Sequence, residues 1–139
     1  MSIRRTASLA AVGIAAATAV TGCSGTGFTD RFTDEIESSN GTGVALAGVV
    51  DEGDSFLIVC PYDTDIDERL GFEWADAPET FSSESFQTIA VVDDGAVESS
   101  HSIWFGDIHL CGADMRDLIS VDEPLDFSQN AAGTWVLVR

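Results

Sequence analysis

The sequence contains no lysine, and six arginines stand against 24 aspartates and glutamates in 139 residues. The formal net charge is therefore −18 at pH 7. A surface that binds nucleic acid needs Lys and Arg to replace the counterions of the phosphates, and a surface that adsorbs to anionic lipid headgroups needs them too. The charge balance argues against both functions, and we expect no nucleic-acid partner.

Motifs for enzyme chemistry are also scarce. The chain has two histidines, no Gly-x-Ser-x-Gly turn for a hydrolase nucleophile and no Cys-x-x-Cys pair for redox or zinc chemistry. Three serines lie within two positions of His101, but they match no known catalytic arrangement. We therefore predict no catalytic residues and no cofactor.

Residues 1–22 have the features of an export signal. Arg4 and Arg5 supply a positive start, and residues 7–20 form an uncharged, alanine-rich run. That run is too short to span a membrane, but it fits the apolar core of a signal peptide. The residues that follow it, Val-Thr-Gly-Cys at positions 20–23, resemble the lipobox of prokaryotic lipoproteins.

The resemblance implies that the signal is cleaved before Cys23 and that the Cys23 sulfur receives a diacylglyceryl group. Two acyl chains anchor a protein stably, so we expect it on the extracytoplasmic face of the cell membrane. The alternative is an ordinary secretory signal that is cut elsewhere and leaves Cys23 as a free thiol. Arginine without lysine is typical of a GC-rich genome, either that of an actinobacterium, which we expect, or that of a salt-adapted archaeon with acidic protein surfaces.

Three cysteines are an odd number for an exported chain. If Cys23 is lipidated, as the resemblance implies, Cys60 and Cys111 remain as one pair in an oxidising compartment. We expect these two to form a disulfide. The alternatives are two buried free thiols or a pair of metal ligands, but neither cysteine has a histidine at a spacing characteristic of zinc.

The chain divides into three parts. After the signal peptide of residues 1–22, residues 23–43 hold the lipidated cysteine and a stretch of small, polar and acidic residues that we interpret as a flexible tether. Residues 44–139 are predicted to form a single globular domain of mainly β class, an antiparallel sheet or small sandwich with one or two short helices and one disulfide. A two-layer α+β domain is the alternative.

The first half of the predicted domain begins with two apolar runs. Residues 44–50 and 55–60 flank an acidic turn, a pattern typical of a buried hairpin. Thr64 followed by Asp67 is a capping-box pattern at the start of a short helix. Gly71 is a natural end for that helix, because glycine readily adopts the left-handed conformation of a C-terminal cap.

The second half contains the strongest hairpin signal. Asp94-Gly95 is a preferred two-residue turn, and it predicts that strands over 86–92 and 96–105 pair with each other. In the register of this turn, His101 lies opposite Thr88. The other predicted elements are a strand over 108–111, a helical turn over 113–120 and a terminal strand over 133–139.

Two sets of residues resemble metal ligands. Residues 63–67 have the Asp-x-Asp-x-Asp spacing of a calcium loop, but Glu68 replaces the required glycine and Trp74 replaces the bidentate glutamate. Helix capping accounts for the same acids. His101 and His109 are candidates for a His/carboxylate site, but a glycine interrupts the chain between them and the sequence does not place them together. We predict no metal.

An aromatic and acidic segment is the candidate ligand surface. Phe72, Trp74 and Phe81 alternate with acids that include Asp76. Such a mixture can stack sugars or receive a cationic peptide, whereas the alternative is that the aromatic rings fill the core.

These observations favour a membrane-anchored extracytoplasmic lipoprotein with a non-enzymatic, acidic binding or interaction domain. Its expected contacts are the membrane, through the lipid anchor, and a cationic ligand or an envelope protein. The alternatives are an accessory subunit of a cell-envelope enzyme or transporter, and a structural envelope protein.

Overall fold

The described part of the chain, residues 27–81 and 84–139 of a computed structural model, is mainly β, as predicted. The predicted signal peptide and Cys23 lie outside these residues. Neither α-helix of the described ranges is long and apolar enough to cross a bilayer. The elements are α1 (Phe28–Ser38), a 3-10 helix (Leu46–Gly48), β1 (Ser55–Val59), α2 (Ile66–Leu70), β2 (Phe86–Asp93), β3 (Ala96–Trp104), β4 (Ile108–His109), β5 (Ile119–Ser120), β6 (Phe127–Gln129) and β7 (Trp135–Leu137).

The strands form two sheets. The larger sheet has the order β3-β2-β1-β5, with each neighbouring pair antiparallel. The smaller sheet has the order β4-β7-β6, in which β4 and β7 are parallel and β6 and β7 are antiparallel. The hairpin of β2 and β3 therefore forms one side of the larger sheet, and β3 is its edge strand.

The turn Asp94-Gly95 joins β2 to β3 as predicted, with φ of 49° and 73°. The two pairs nearest the turn follow the predicted register, but the pairing shifts by one residue between Val91 and Val92. A β-bulge of this kind gives every later residue a different partner. His101 consequently lies opposite Ile89, and the predicted register is wrong beyond the bulge.

A packed helix occupies most of the segment that was interpreted as a tether. In α1, Phe28, Phe32 and Ile36 are spaced by four residues, so they lie on one face of the helix, and all three are buried. The prediction of a flexible tether over residues 23–43 is therefore wrong from residue 28 onwards, because three well-spaced apolar side chains are enough to dock a polar helix. The folded domain begins at α1 and not at residue 44.

Two local predictions are also wrong. Residues 44–50 contain a 3-10 helix at Leu46–Gly48, so the expected hairpin with β1 does not form. Residues 113–120 form no helix and end in the short strand β5. Short apolar runs do not distinguish a strand from a loop that inserts its side chains into a core.

The short helix α2 forms where it was predicted. Ile66 and Leu70 are buried, and Gly71 follows them with a left-handed φ of 80°. Asp65, and not Thr64, occupies the N-cap position, and no side chain caps the helix there. The helix is thus held by the packing of its two apolar residues.

The main core lies between the two sheets and α1. A second, smaller core covers the opposite face of the larger sheet, where α2 packs against the strands. The strand residues of the main core are Phe56, Ile58, Ile89, Val91, Ile103, Ile108, Ile119, Phe127 and Leu137, and those of the second core are Leu57, Val59, Ala90 and Val92.

A disulfide and a buried side-chain amide join the two sheets. Cys60 follows β1 and forms a disulfide with Cys111, which follows β4, as predicted. Gln87 of β2 is 1% exposed, and its side-chain oxygen accepts hydrogen bonds from the backbone N–H of Leu110 at 2.8 Å and of Cys111 at 3.3 Å. Its amide nitrogen donates to the carbonyl of Ile108. A buried side-chain amide therefore bonds the chain around the end of β4 to the larger sheet.

Candidate ligand-binding groove

The outer face of the larger sheet is covered at one end only. There, α2 and the loop after it pack on the sheet. At the other end, Phe86 of β2 lies directly opposite Trp104 of β3, and directly opposed residues project from the same face of a sheet. Both side chains are about half exposed, at 49% and 51%. The uncovered end of this face is therefore aromatic.

Two loop aromatics stand beside this end of the sheet. The rings of Tyr62 and Phe81 are 5.7 Å apart, and both side chains are more than half exposed. The backbone N–H of Tyr62 donates to the carbonyl of Thr80 at 3.0 Å, and the Thr80 hydroxyl donates to the carbonyl of Asp63 at 2.8 Å. These bonds hold the two loop segments together, so the two rings are fixed as a pair.

An open groove of about 210 Å³ lies between the loops and the sheet. One wall contains Pro61, Pro78 and Thr80, and the other contains Phe86 with the hydroxyl-bearing residues Thr88 and Ser102. In the described part of the chain, six large hydrophobic side chains are exposed, and four of them are aromatic. Phe86 lines the groove, Trp104 lies opposite Phe86 on the same face of the sheet, and Tyr62 and Phe81 follow the lining residues Pro61 and Thr80 in the chain. We call it the aromatic groove, with Tyr62, Phe81, Phe86 and Trp104 as its aromatic residues.

The charged side chains at the aromatic groove are acidic. Glu79 is part of its lining, and the Tyr62 hydroxyl donates a hydrogen bond to the carboxylate of Glu84. That hydrogen bond, together with slight burial and the negative charge of Glu84, raises the pKa of Tyr62. None of the residues that line the groove is basic. Exposed aromatic faces and carboxylates are both attractive to a cation.

The predicted ligand surface has a different position. Phe72 and Trp74 are half-buried and pack against the second core, which agrees with the alternative that these rings fill the core. Asp76 is exposed. The backbone N–H of Trp74 donates to the carboxylate of Asp67 at 2.9 Å, which ties this loop to α2. An open cavity of about 440 Å³ beside α2 includes Trp74 but neither of the other two residues. The structure does not bring the three together around one cavity.

The acids of residues 63–67 are engaged in ion pairs and hydrogen bonds. The carboxylate of Asp63 lies 2.7 Å from the guanidinium of the buried Arg69, and that of Asp65 lies 3.0 Å from Arg116. The hydrogen bond from Arg116 lowers the pKa of Asp65. Within residues 27–81 and 84–139, no group of three or more His, Cys, Asp or Glu side chains is arranged to hold a metal ion.

The two histidines lie on different sheets, with His101 in β3 and His109 in β4. The ring of His101 stacks on Phe28 with centroids 4.0 Å apart, and its Nε2 lies 3.1 Å from the hydroxyl oxygen of Ser99. Burial, with the nearby charge of Arg31, lowers the pKa of His101. The structure therefore places this histidine in a packed contact between helix and sheet, and it does not bring the pair together as metal ligands.

Of the four aromatic residues assigned to the groove, sequence reasoning singled out only Phe81 and missed Tyr62, Phe86 and Trp104. The available signal was the polarity of their neighbours, because Thr88 and Ser102 share the face of Phe86 and Trp104 and small hydroxyl residues seldom line a closed core. No protein-family model, no curated protein and no solved structure matches the chain, so its function is argued from this site.

Proposed function

We propose that the protein is a lipid-anchored lipoprotein of the extracytoplasmic cell envelope, and that its domain binds a cationic ligand in the aromatic groove without catalysing a reaction. The anchor is argued from the sequence, where an uncharged run of signal-peptide length precedes Val-Thr-Gly-Cys at positions 20–23. Because α1 begins at Phe28, five residues beyond Cys23, the chain between them reaches at most about 17 Å. The lipid would hold the folded domain directly above the headgroups.

The anchor is tested by fractionating cells that produce the protein. We expect the full chain in the membrane fraction, with two acyl chains and an N-terminal Cys23 in its mass spectrum, because acyl chains partition into the bilayer. A Cys23→Ser variant should leave the membrane fraction, whereas Ser24→Ala should remain in it. An unmodified Cys23 thiol in the mature protein would contradict the proposal.

The aromatic groove is the observation that supports a cationic ligand. A guanidinium or ammonium group over a ring is attracted by the electrons of the ring face, and this interaction strengthens when the groove excludes water. The carboxylates of Glu79 and Glu84 add charge of the complementary sign at the same place. The large negative net charge of the whole chain would also raise the rate at which a cation arrives.

Binding is tested with a blocked dipeptide, acetyl-Arg-Arg-amide, titrated into the protein and followed by NMR. We expect saturable shifts of the Trp104 indole resonance. Trp104→Leu should weaken binding by about tenfold, because leucine retains apolar contact but has no ring face for the guanidinium. Trp104→Phe should retain part of the affinity.

Leu118→Ala is the control, because Leu118 is also an exposed hydrophobic side chain but lies next to β5, at the opposite edge of the larger sheet from Trp104. This variant should bind the dipeptide as the parent chain does. Equal binding of acetyl-Glu-Glu-amide, or unchanged affinity in Trp104→Leu, would show that the groove does not select cations.

A further inference from the structure

The strand β3 has an unpaired edge. It is the outermost strand on its side of the larger sheet. The backbone N–H of Phe105 donates to the carbonyl of Ser85 at 3.0 Å. In an antiparallel pair, hydrogen-bonded and non-hydrogen-bonded positions alternate, so the backbone groups of Ser100 and Ser102 point away from β2. No other residue of the described ranges bonds to them.

The opposite side of the same sheet is covered. There, β5 pairs with β1, and the buried guanidinium of Arg69 donates to the carbonyl of Ile58 at 2.8 Å. These contacts occupy Phe56 and the carbonyl of Ile58, which face away from β2. Within residues 27–81 and 84–139 the two sides of this sheet thus differ, and the β3 side presents a row of backbone donors and acceptors that no strand covers.

The exposed edge has few of the features by which proteins prevent strand pairing. Such edges are usually short, or they carry lysine, proline or a bulge. β3 is nine residues long and contains neither lysine nor proline. Its bulge lies near the Asp94-Gly95 turn, and the regular stretch from Ser99 to Trp104 has no charged side chain when His101 is neutral. This stretch is a suitable template for another strand.

The charged residues near β3 indicate which kind of segment can pair with its edge. Glu98 lies in the first half of β3 next to Glu52, whose hydrogen bond raises the pKa of Glu98, and Asp107 follows the strand. A second copy of this chain would bring another 18 net negative charges to the same place, which disfavours self-association. A cationic segment is instead attracted by these carboxylates.

We propose that β3 accepts an extended cationic segment of a partner protein as an additional strand of the larger sheet. Backbone hydrogen bonds to Ser100 and Ser102 would give affinity, and alternate side chains of the segment would select the sequence. Those on the outer face would lie along Ser100, Ser102 and Trp104, beside the aromatic groove. In this respect the proposal rests on the proposed function, since it identifies the cationic ligand of the groove as a side chain of the added strand.

The experiment uses the full chain and a nine-residue peptide of alternating Arg and Thr. With the peptide bound, hydrogen exchange of the Ser100 and Ser102 amides should slow by at least about tenfold, because they become hydrogen-bonded. N-methylation of alternate peptide amides on the edge-facing side should weaken binding by about fivefold for each donor removed. The same peptide methylated on the other alternate amides is the control, and it should bind as the unmodified peptide does.

A variant of the protein tests the same backbone hydrogen bonds by removing a donor from β3. Ser100→Pro removes one outward N–H at an edge position where proline is tolerated, and it should weaken peptide binding by about fivefold. Ser100→Ala keeps the N–H and should bind normally. If Ser100→Pro fails to fold, the methylated peptides still decide the question.

The outcomes separate the two proposals. If the unmodified and the edge-methylated peptide bind equally, and the β3 amides stay unprotected, strand addition is wrong even where Trp104→Leu weakens the dipeptide. If the dipeptide does not bind but the peptide protects β3, the aromatic groove is wrong as the site and strand addition stands. Equal binding of a peptide of alternating Glu and Thr would show that the partner segment need not be cationic. Protection of the same amides in a dimer of the protein would show that the added strand comes from a second copy of the chain.

Discussion

Replacement of both Cys60 and Cys111 by serine should lower the free energy of unfolding by about 4 kcal/mol. The disulfide joins positions 51 residues apart, and closing a loop of this size in the unfolded chain costs about that much conformational entropy. Urea denaturation of the oxidised protein, the reduced protein and the double-serine variant measures the effect. The reduced protein and the variant should have similar midpoints.

Loss of this disulfide should also loosen the smaller sheet more than the larger one. The strands of the smaller sheet have only two or three residues each, so few backbone hydrogen bonds hold that sheet together. Without the disulfide, the chain after β4 is held to the larger sheet by Gln87 and by Arg69, which donates to the carbonyls of both Ile58 and Arg116. We therefore expect amide exchange in β4 and β7 to increase more than in β2.

A reducing agent added to the double-serine variant is the control, and it should change nothing. A loss of less than about 1 kcal/mol in that variant would contradict the prediction. It would mean that the unfolded chain keeps positions 60 and 111 close together even without the covalent bond.

The parts of the fold that the sequence predicted are those set by neighbours in the chain. Asp94-Gly95 adopts positive φ at both positions and makes its hairpin, and Gly71 ends α2 for the same conformational reason. The pairing of Cys60 with Cys111 followed from a count of cysteines once Cys23 was assigned to the lipid anchor. Each of these inferences needs only local chemistry or elimination.

The errors arose where distant contacts decide the structure. The composition of residues 28–38 is polar, and only the docking of one helix face into the core shows that they are folded. The bulge has no marker in the sequence, because its extra residue, Glu98 between Val97 and Ser99 of β3, is not a glycine. It nevertheless changed the partner of every β3 residue beyond it.

The candidate site was missed for a related reason. Proximity in the sequence singled out Phe72, Trp74 and Asp76, but α2 directs the first two towards the sheet. The aromatic groove is instead assembled from two loops and two strands, whose exposed rings are brought together by the bonds of Thr80 and by the pairing of β2 with β3. Residues from four segments give no recognisable spacing in one chain.

Phe32→Ala should lower the free energy of unfolding by about 3–5 kcal/mol, the range for removing a fully buried phenyl ring. Phe32 has 0% exposure, and its ring lies 5.8 Å from both the Phe28 ring of the same helix and the Phe127 ring of β6. The substitution leaves a cavity at the point where α1 meets the smaller sheet. Urea denaturation, followed by far-ultraviolet circular dichroism, measures the loss.

The same substitution tests whether the folded domain begins at α1. Asp34→Ala on the exposed side of the helix is the matched control, and it should change the free energy of unfolding by no more than about 0.5 kcal/mol. If residues 28–38 were a flexible tether, both variants would unfold as the parent chain does. A large effect of Phe32→Ala alone would place the packed domain within five residues of Cys23, so that the proposed lipid anchor would leave only a short spacer between the acidic domain and the membrane surface.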